Sequence, residues 1–355
     1  MTDVAPTGRF ARSPRWAAIA ILIALAGLIA LGLARPPSRP LDPRPEKGGD
    51  DVAFYQGVVA RMRAGQPYEA AAIGELHAVG GPLRPFLVVR PPLLASLLVR
   101  LPDAQTADRL MALLSVGVLV AWGFRFMRIG WPPLAVGGGA LVAFTGVAAP
   151  MVTTNMSLSH EAWAGLLIAA SLAVRSERRW GAAVALGLLA ALIRELAMPY
   201  LLVMALAALI ERRRTEAAAF ALALAASVAA LAWHAHLVSG LTSAHDQASP
   251  GWLKFCGWPF VMATAKWNLA VIVGGAVGGA LLVPLALAGA IGRRDGLGLR
   301  LALILVGYTV GFMAIGRPEN SYWGLLTAPL LAVGLCFAPA ALTDLMRRAA
   351  NRPGP

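Results

Sequence analysis

The sequence predicts an all-α, polytopic membrane protein with about ten transmembrane helices and with interfacial helices in its first outer loop. Of its 355 residues, 58% are hydrophobic and only 14% are charged, whereas soluble domains carry about 25% charged residues. The apolar residues stand in long runs of Ala, Leu and Val, which suit membrane helices rather than the alternating strands of a β-barrel. We therefore treat residues 1–355 as a single integral membrane domain.

Arginine clusters account for most of the net charge of +13. In a soluble protein such a charge would indicate nucleic-acid binding, but here the clusters stand in short connections between apolar runs, which is typical of cytoplasmic loops. We expect the lipid bilayer, and no nucleic acid, as a partner. The two cysteines, Cys256 and Cys336, are far apart in the sequence and are interpreted as free thiols without a metal motif.

Ten apolar runs have about the length that a helix needs to cross a bilayer. They are 16–34, 107–126, 131–150, 159–174, 180–195, 197–210, 216–237, 268–291, 299–315 and 322–340. The first run is longer than the apolar core of a signal peptide, which has about 7–15 residues, and it is interpreted as a retained span.

The arginine clusters follow alternate runs, and this alternation sets the expected orientation. Both termini are expected in the cytoplasm, because short arginine-rich loops stay on that side of the membrane. The other connections are then expected on the outer face: 35–106, 151–158, around 196, 238–267 and 316–321. The Ala- and Arg-rich composition and the short loops favour the plasma (inner) membrane of a bacterium, with the active face periplasmic or extracellular.

The long first outer loop, 35–106, is expected to carry the chemistry. Behind its acidic pair, Asp50 and Asp51, an apolar stripe follows with helical spacing: Phe54, Tyr55, Val58, Val59 and Met62. The stripe predicts a helix on the membrane surface with Asp51 at its N-terminus, where the helix dipole favours a carboxylate. A second interfacial helix is predicted from Pro91 or Pro92, because proline suits the first helical turn.

This order of elements resembles the GT-C fold of multi-spanning glycosyltransferases, which include aminoarabinose transferases, protein O-mannosyltransferases and lipopolysaccharide sugar transferases. The family's Asp-x-x-x-Tyr arrangement is similar to the segment from Asp51 to Tyr55, and its Pro-Pro-Leu element to the segment from Arg90 to Leu93. Its basic residue after the fifth span is similar to Arg194. The motifs that resemble the family lie within about residues 15–200. Beyond them the resemblance rests on the topology alone.

The resemblance implies that a sugar moves from a polyprenyl-phosphate-linked donor to a lipid, glycan or protein acceptor, by inverting displacement on the outer face. A phosphate is already a good leaving group, so one carboxylate must accept the acceptor's proton and cations must hold the phosphate. Asp51 is the expected base, with Asp50 as its alternative. The expected substrate-binding residues are Tyr55, Arg84, Arg90, Glu161, Arg194, Lys254 and Arg317.

The sequence implies no organic cofactor. A divalent metal is compatible with this reaction, and many members of the family have a second acidic residue in the second outer loop, a role for which Glu161 is the candidate, but there is no clear ligand set. A metal site at His234 and His236 is discounted, because these residues point to different faces of a helix. Arg194 and Glu195 are not expected to pair, since consecutive side chains of a helix do not face each other.

Three other functions fit parts of the pattern. A transporter or flippase for a lipid-linked or small polar substrate would need interrupted helices, for which the glycine runs at 137–139 and 274–275 are candidates, but the charges cluster at one face instead. Another lipid-carrier enzyme, similar to O-antigen ligases, would place its key loop late in the chain. A non-catalytic membrane scaffold would leave the acidic start of the first outer loop unexplained.

Overall fold

A computed structural model describes residues 8–34 and 51–351 of the chain. Within these residues the α-helices, numbered in chain order, are α1 (Arg15–Ala34), α2 (Asp51–Arg63), α3 (Tyr68–Ala78), α4 (Leu93–Leu98), α5 (Ala104–Arg128), α6 (Pro133–Val152), α7 (His160–Val174), α8 (Gly181–Ile193), α9 (Met198–Ile210), α10 (Arg214–Ser239), α11 (Gly257–Thr264), α12 (Leu269–Gly292), α13 (Gly296–Ala314) and α14 (Ala328–Ala349). The only β structure in this part of the chain is three isolated bridges. The predicted all-α fold is confirmed.

Within residues 8–34 and 51–351, seven helices are long and apolar enough to cross a membrane, which makes the chain a polytopic membrane protein: α1, α5, α6, α10, α12, α13 and α14. The expected count of about ten is not confirmed. The three other predicted spans are the apolar helices α7, α8 and α9, which have 15, 13 and 13 residues. At 1.5 Å per residue they rise by about 20 Å, which is less than the roughly 30 Å of hydrocarbon in a bilayer.

Helix α7 lies in the middle of the protein. Nearly all of its residues are buried, and it contacts α5, α8, α14 and the 3₁₀ helix Pro318–Leu326. Its Gly165 lies directly against the backbone of Leu325, where a Cβ atom would not fit. Because α7 is surrounded by protein rather than by lipid, its length is not set by the thickness of a bilayer.

The elements between the first two long helices differ in part from the prediction. Helix α2 begins at Asp51 as predicted, α4 begins one residue after the predicted start, with Pro92 as its N-cap, and α3 was not predicted. The apolar stripe of α2 contacts protein: Val58 belongs to a buried cluster with Tyr68, Ala71 and Ala72 of α3. At the other end of the chain, the first residues of the predicted span 322–340 belong to the 3₁₀ helix Pro318–Leu326, and the rest belong to α14, a candidate span that continues to Ala349.

The helix ends form two opposite groups. One group, the Asp51 end, contains α2 to α4 and the connections 153–159, 194–197, 240–256 and 315–327. The other, the arginine-rich end, is joined by hydrogen bonds from Arg9 to Gly292, from Arg15 to Ala349 and from Arg125 to Arg175. The arginine clusters that follow alternate apolar runs in the sequence therefore lie together at one end of the molecule.

A buried ion network ties four helices together at the arginine-rich end. Glu216 at the start of α10 lies 2.8 Å from Arg175 and 3.3 Å from Arg300. Glu211 lies 2.7 Å from Arg300 and 3.3 Å from Arg175. Arg175, Glu216 and Arg300 are almost completely buried, so each charge depends on its partners for the solvation that water would otherwise provide.

We expect Glu216→Gln to destabilise the protein by about 3 kcal/mol, because two buried guanidinium groups would lose a shared carboxylate. Thermal unfolding of the purified protein in detergent measures this loss. Glu177→Gln is the matched control, since Glu177 is exposed in the same region and its replacement should leave the melting temperature unchanged. Equal melting temperatures for the two variants would contradict a stabilising role of the network.

We expect the arginine-rich end to face the cytoplasm, following the charge rule for short loops. In a background without the native cysteines, Ala244→Cys at the Asp51 end should react with a membrane-impermeant maleimide on intact cells whose outer barrier is opened. Ala350→Cys, beyond α14, should react only after the membrane itself is permeabilised. The opposite labelling pattern would reverse the orientation.

Candidate active site at the Asp51 end

Asp51 is the first residue of α2 and is exposed. A carboxylate is favoured there because the backbone N–H groups of the first helical turn point towards it. Tyr55 stands one turn further along the same face of α2, as residues i and i+4 of a helix do. Asp50, the alternative base, lies outside the described residues.

Tyr55 connects the first outer loop to the start of α7. Its ring lies 5.0 Å from the ring of His160, centre to centre. Burial raises the pKa of the Tyr55 phenol above its ordinary value; the cation of Arg90 opposes this rise, and the carboxylates of Asp51 and Glu161 add to it. Tyr55 thus stays protonated at neutral pH and is available as a hydrogen-bond donor among charged groups.

Arg90 joins the first outer loop to the last one. Its guanidinium donates a 2.8 Å hydrogen bond to the hydroxyl of Tyr322, which belongs to the 3₁₀ helix Pro318–Leu326. The backbone of Arg90 is held as well, since the Tyr68 hydroxyl donates to its carbonyl over 2.7 Å. Pro91 and Pro92 follow directly, and their fixed φ angles limit the backbone here. Taken as a whole residue, Arg90 is half-buried.

Arg194 lies between two carboxylates at the same end. Its Nε is 2.6 Å from Glu161 at the start of α7, and its Nη1 contacts Glu195. The exposed fractions of Arg194 and Glu161 are only 1% and 4%. The expectation that Arg194 and Glu195 do not pair was wrong, because α8 ends at Ile193 and Arg194 has the extended angles φ −144° and ψ 115°. The rule for consecutive residues holds only inside a helix.

Three expected ligands have their contacts elsewhere at this end. The Nε of Arg84 donates to the carbonyl of Asp246 over 3.2 Å and thereby attaches the loop after α10. Arg317 pairs with Glu319 at 2.7 Å and lies 5.8 Å from the ring centre of Trp252. Lys254 is exposed. The structure therefore brings together Tyr55, Arg90, Glu161 and Arg194, with Asp51 next to them on α2, but not Arg84, Lys254 or Arg317.

An open groove of about 340 Å³ is lined by Pro91, the residue that follows Arg90. It lies between α4 on one side and α8, α9 and α10 on the other, and most of its lining is apolar, including Pro91, Leu93, Leu192 and Met198. Its lining includes polar residues that were not predicted as ligands, namely Glu69 and His234 beside Ser96 and Ser227. The sequence signal for His234 was an ionisable residue in an apolar helix; Glu69 carried no such signal.

No group of three or more His, Cys, Asp or Glu side chains that could hold a metal is found in the described part of the chain. The charged candidate ligands Arg194 and Arg317 at the Asp51 end instead form ion pairs with carboxylates. Arg90 differs from Arg194 and Arg317 in that the hydrogen-bond partner of its guanidinium is a neutral hydroxyl, that of Tyr322.

Comparisons with protein families, with curated proteins and with solved structures find no significant match to this chain.

We expect Arg194→Gln to lower the stability by about 3–5 kcal/mol, because Glu161 and Glu195 would face each other without a cation. Unfolding in detergent measures the change. The double variant Arg194→Gln/Glu161→Gln should recover part of the loss, since it removes one of the two stranded carboxylates. The pairing would be contradicted if the losses of stability caused by Arg194→Gln and by Glu161→Gln simply added up in the double variant.

Proposed function

We propose that this protein is a membrane glycosyltransferase of the GT-C type, which moves a sugar from a polyprenyl-phosphate-linked donor to a lipid, glycan or protein acceptor. The observation that carries the proposal is the position of Arg90. This cation lies close to Tyr55 of α2, and Pro91, the residue that follows it, lines an apolar groove. A lipid-linked phosphate needs such a place, where a guanidinium meets apolar surface.

The charges around Arg90 support a phosphate leaving group. Arg194 is neutralised by Glu161 and Glu195, and Arg317 is paired with Glu319, so these guanidinium groups have carboxylate partners already. Arg90 has neutral hydroxyl contacts in Tyr322 and, through its backbone, Tyr68. A phosphate oxygen can therefore replace the Tyr322 hydroxyl as hydrogen-bond acceptor, in competition with the nearby Glu161 and Glu195 carboxylates, which attract the charge of Arg90.

The proposed reaction is a single displacement. The acceptor's oxygen or nitrogen forms a bond to the anomeric carbon of the sugar while the bond from that carbon to the phosphate oxygen breaks, and the bonding electrons leave with the phosphate. Asp51 takes the proton of the acceptor as general base. Arg90 and the Tyr55 hydroxyl stabilise the charge that develops on the phosphate. Attack opposite to the leaving group inverts the anomeric configuration.

The ion pair of Glu161 and Arg194 has a supporting role in this scheme. It fixes the start of α7, whose His160 contacts Tyr55. A rigid support of this kind keeps catalytic groups within the small displacements that a transition state tolerates. The reaction would take place on the outer face of a plasma membrane, with both termini in the cytoplasm.

We expect Asp51→Asn to lower transfer by about 10²–10⁴-fold, which is the usual contribution of a general base. Surface glycans and glycolipids are compared in cells lacking the protein and in cells complemented with the wild type or with the variant at equal membrane level. A missing sugar that the wild type restores and Asp51→Asn does not restore would support the mechanism and identify the sugar.

Gln56→Lys serves as the matched control, since Gln56 is exposed on α2 next to the site and its replacement changes the net charge by +1, as Asp51→Asn does. Full restoration by Asp51→Asn would remove Asp51 from the mechanism. Unchanged glycans in every strain would count against the transferase altogether.

A transporter remains the second candidate because of one observation. Helix α12 is interrupted at Gly275, which has the non-helical angles φ 57° and ψ −139°, and transporters often bind substrate at interrupted helices. Accumulation of an intact lipid-linked sugar on the inner face of cells lacking the protein would favour this function, whereas accumulation on the outer face would favour transfer.

A further inference from the structure

The segment that carries Arg90 passes between α3 and α10. Its Val89 packs in one buried cluster with residues of α3 and with Val238 of α10. Pro91 and Pro92 come directly after Arg90 and have no backbone N–H, so they donate no backbone hydrogen bond that could fix the segment. Two consecutive carbonyl groups, those of Val89 and Arg90, accept hydrogen bonds from side chains instead.

The two donors come from different helices. The hydroxyl of Tyr68, the first residue of α3, donates to the carbonyl of Arg90 over 2.7 Å. On α10, the Nε2 atom of His234 lies 3.1 Å from the carbonyl oxygen of Val89, and since a carbonyl only accepts, Nε2 is the donor. Both side chains are buried, so these hydrogen bonds are shielded from competing water.

Glu69 holds the histidine ring from its other side. The Nδ1 atom of His234 lies 3.5 Å from a carboxylate oxygen of Glu69. A hydrogen bond from His234 lowers the pKa of the Glu69 carboxyl although burial opposes this, so the two side chains satisfy each other. A partner on one ring nitrogen fixes how the other nitrogen is presented, and the Nε2 atom is thereby directed at the backbone.

The position of this backbone decides where the guanidinium of Arg90 lies. The guanidinium donates to the Tyr322 hydroxyl over 2.8 Å, and hydrogen bonds weaken within a few tenths of an ångström beyond such distances. A binding group must be held to within about 0.5 Å of its working geometry by residues that are themselves fixed. The backbone contacts from α3 and α10 provide such support.

We infer that Tyr68 and His234 are positioning residues for Arg90. They fix the carbonyl groups of Val89 and Arg90 and so place the guanidinium for a phosphate oxygen, while Glu69 orients the histidine. The inference rests on the proposed function, because it takes Arg90 as the phosphate ligand. It also gives a role to an ionisable residue of an apolar membrane helix, a class of residue that is costly to bury and commonly functional.

The test measures how well the full-length protein in phosphatidylcholine nanodiscs distinguishes farnesyl phosphate from farnesol. The ratio of the two affinities, from microscale thermophoresis at equal lipid content, is the phosphate selectivity. We expect Arg90→Gln to lower it about tenfold or more, since a charge-assisted hydrogen bond is lost. Tyr68→Phe, which removes one oxygen atom, and His234→Leu should each lower it about fivefold.

Two comparisons separate positioning from a general loss of stability. His234→Gln keeps an N–H donor at the same distance from the backbone as Nε2 and should retain most of the selectivity. In the Arg90→Gln background, Tyr68→Phe should change the selectivity less than about twofold, because the group that it positions is gone. Tyr200→Phe is the matched control: its buried hydroxyl contacts Ser171 of α7, and its loss should leave the selectivity unchanged.

An unchanged selectivity in Tyr68→Phe would overturn the inference, as would an equal loss with and without Arg90, and the effect of Arg90→Gln alone would then still support the proposed function. An unchanged selectivity in Arg90→Gln would refute the proposed phosphate ligand and the inference with it. The two failures are therefore distinguishable. Tyr68→Phe decides the question even where His234→Leu fails to fold.

Discussion

The contact of Arg194 with Glu161 and Glu195 is the constraint on which the Asp51 end depends. It joins the start of α7, the end of α8 and the turn into α9 in one buried cluster. Two carboxylates and one guanidinium leave a net negative charge, which the nearby Arg90 offsets and the phenol of Tyr55 borders. The buried ion pair of Arg194 and Glu161 thus supports the groups on which the proposed chemistry depends.

The part of the site that could be predicted from the sequence is the part that local rules determine. The helix at Asp51 follows from its apolar period, and the helix after Pro92 follows from the conformational preference of proline. The grouping of Arg90 with Tyr322 could not be predicted, since these residues are 232 positions apart. Glu69 and His234 were not predicted as ligands for the same reason, because no pattern in the sequence indicates that α3 and α10 line one groove.

Hydropathy measures whether a segment is apolar, but it does not distinguish a helix in lipid from a helix in protein. The count of ten spans is therefore not confirmed, because α7, α8 and α9 are apolar but short. Helices α8 and α9 are separated at the connection that the sequence predicts around residue 196, where the chain leaves the helical conformation at Arg194 and the Arg194 side chain contacts two carboxylates. The same change of conformation explains why the expected separation of Arg194 from Glu195 was wrong.

The burial of α7 also bears on how the molecule is assembled and taken apart. Ser171 of α7 donates to the carbonyl of Ala183 in α8, and its oxygen lies 2.6 Å from the hydroxyl of Tyr200 in α9. A helix of 15 residues with an ion pair at its first turn gains little from entering hydrocarbon alone. We therefore regard α7, α8 and α9 as one cooperative unit of folding, in which opening of any member exposes Glu161 and Arg194 together and dismantles the support of the site in a single step.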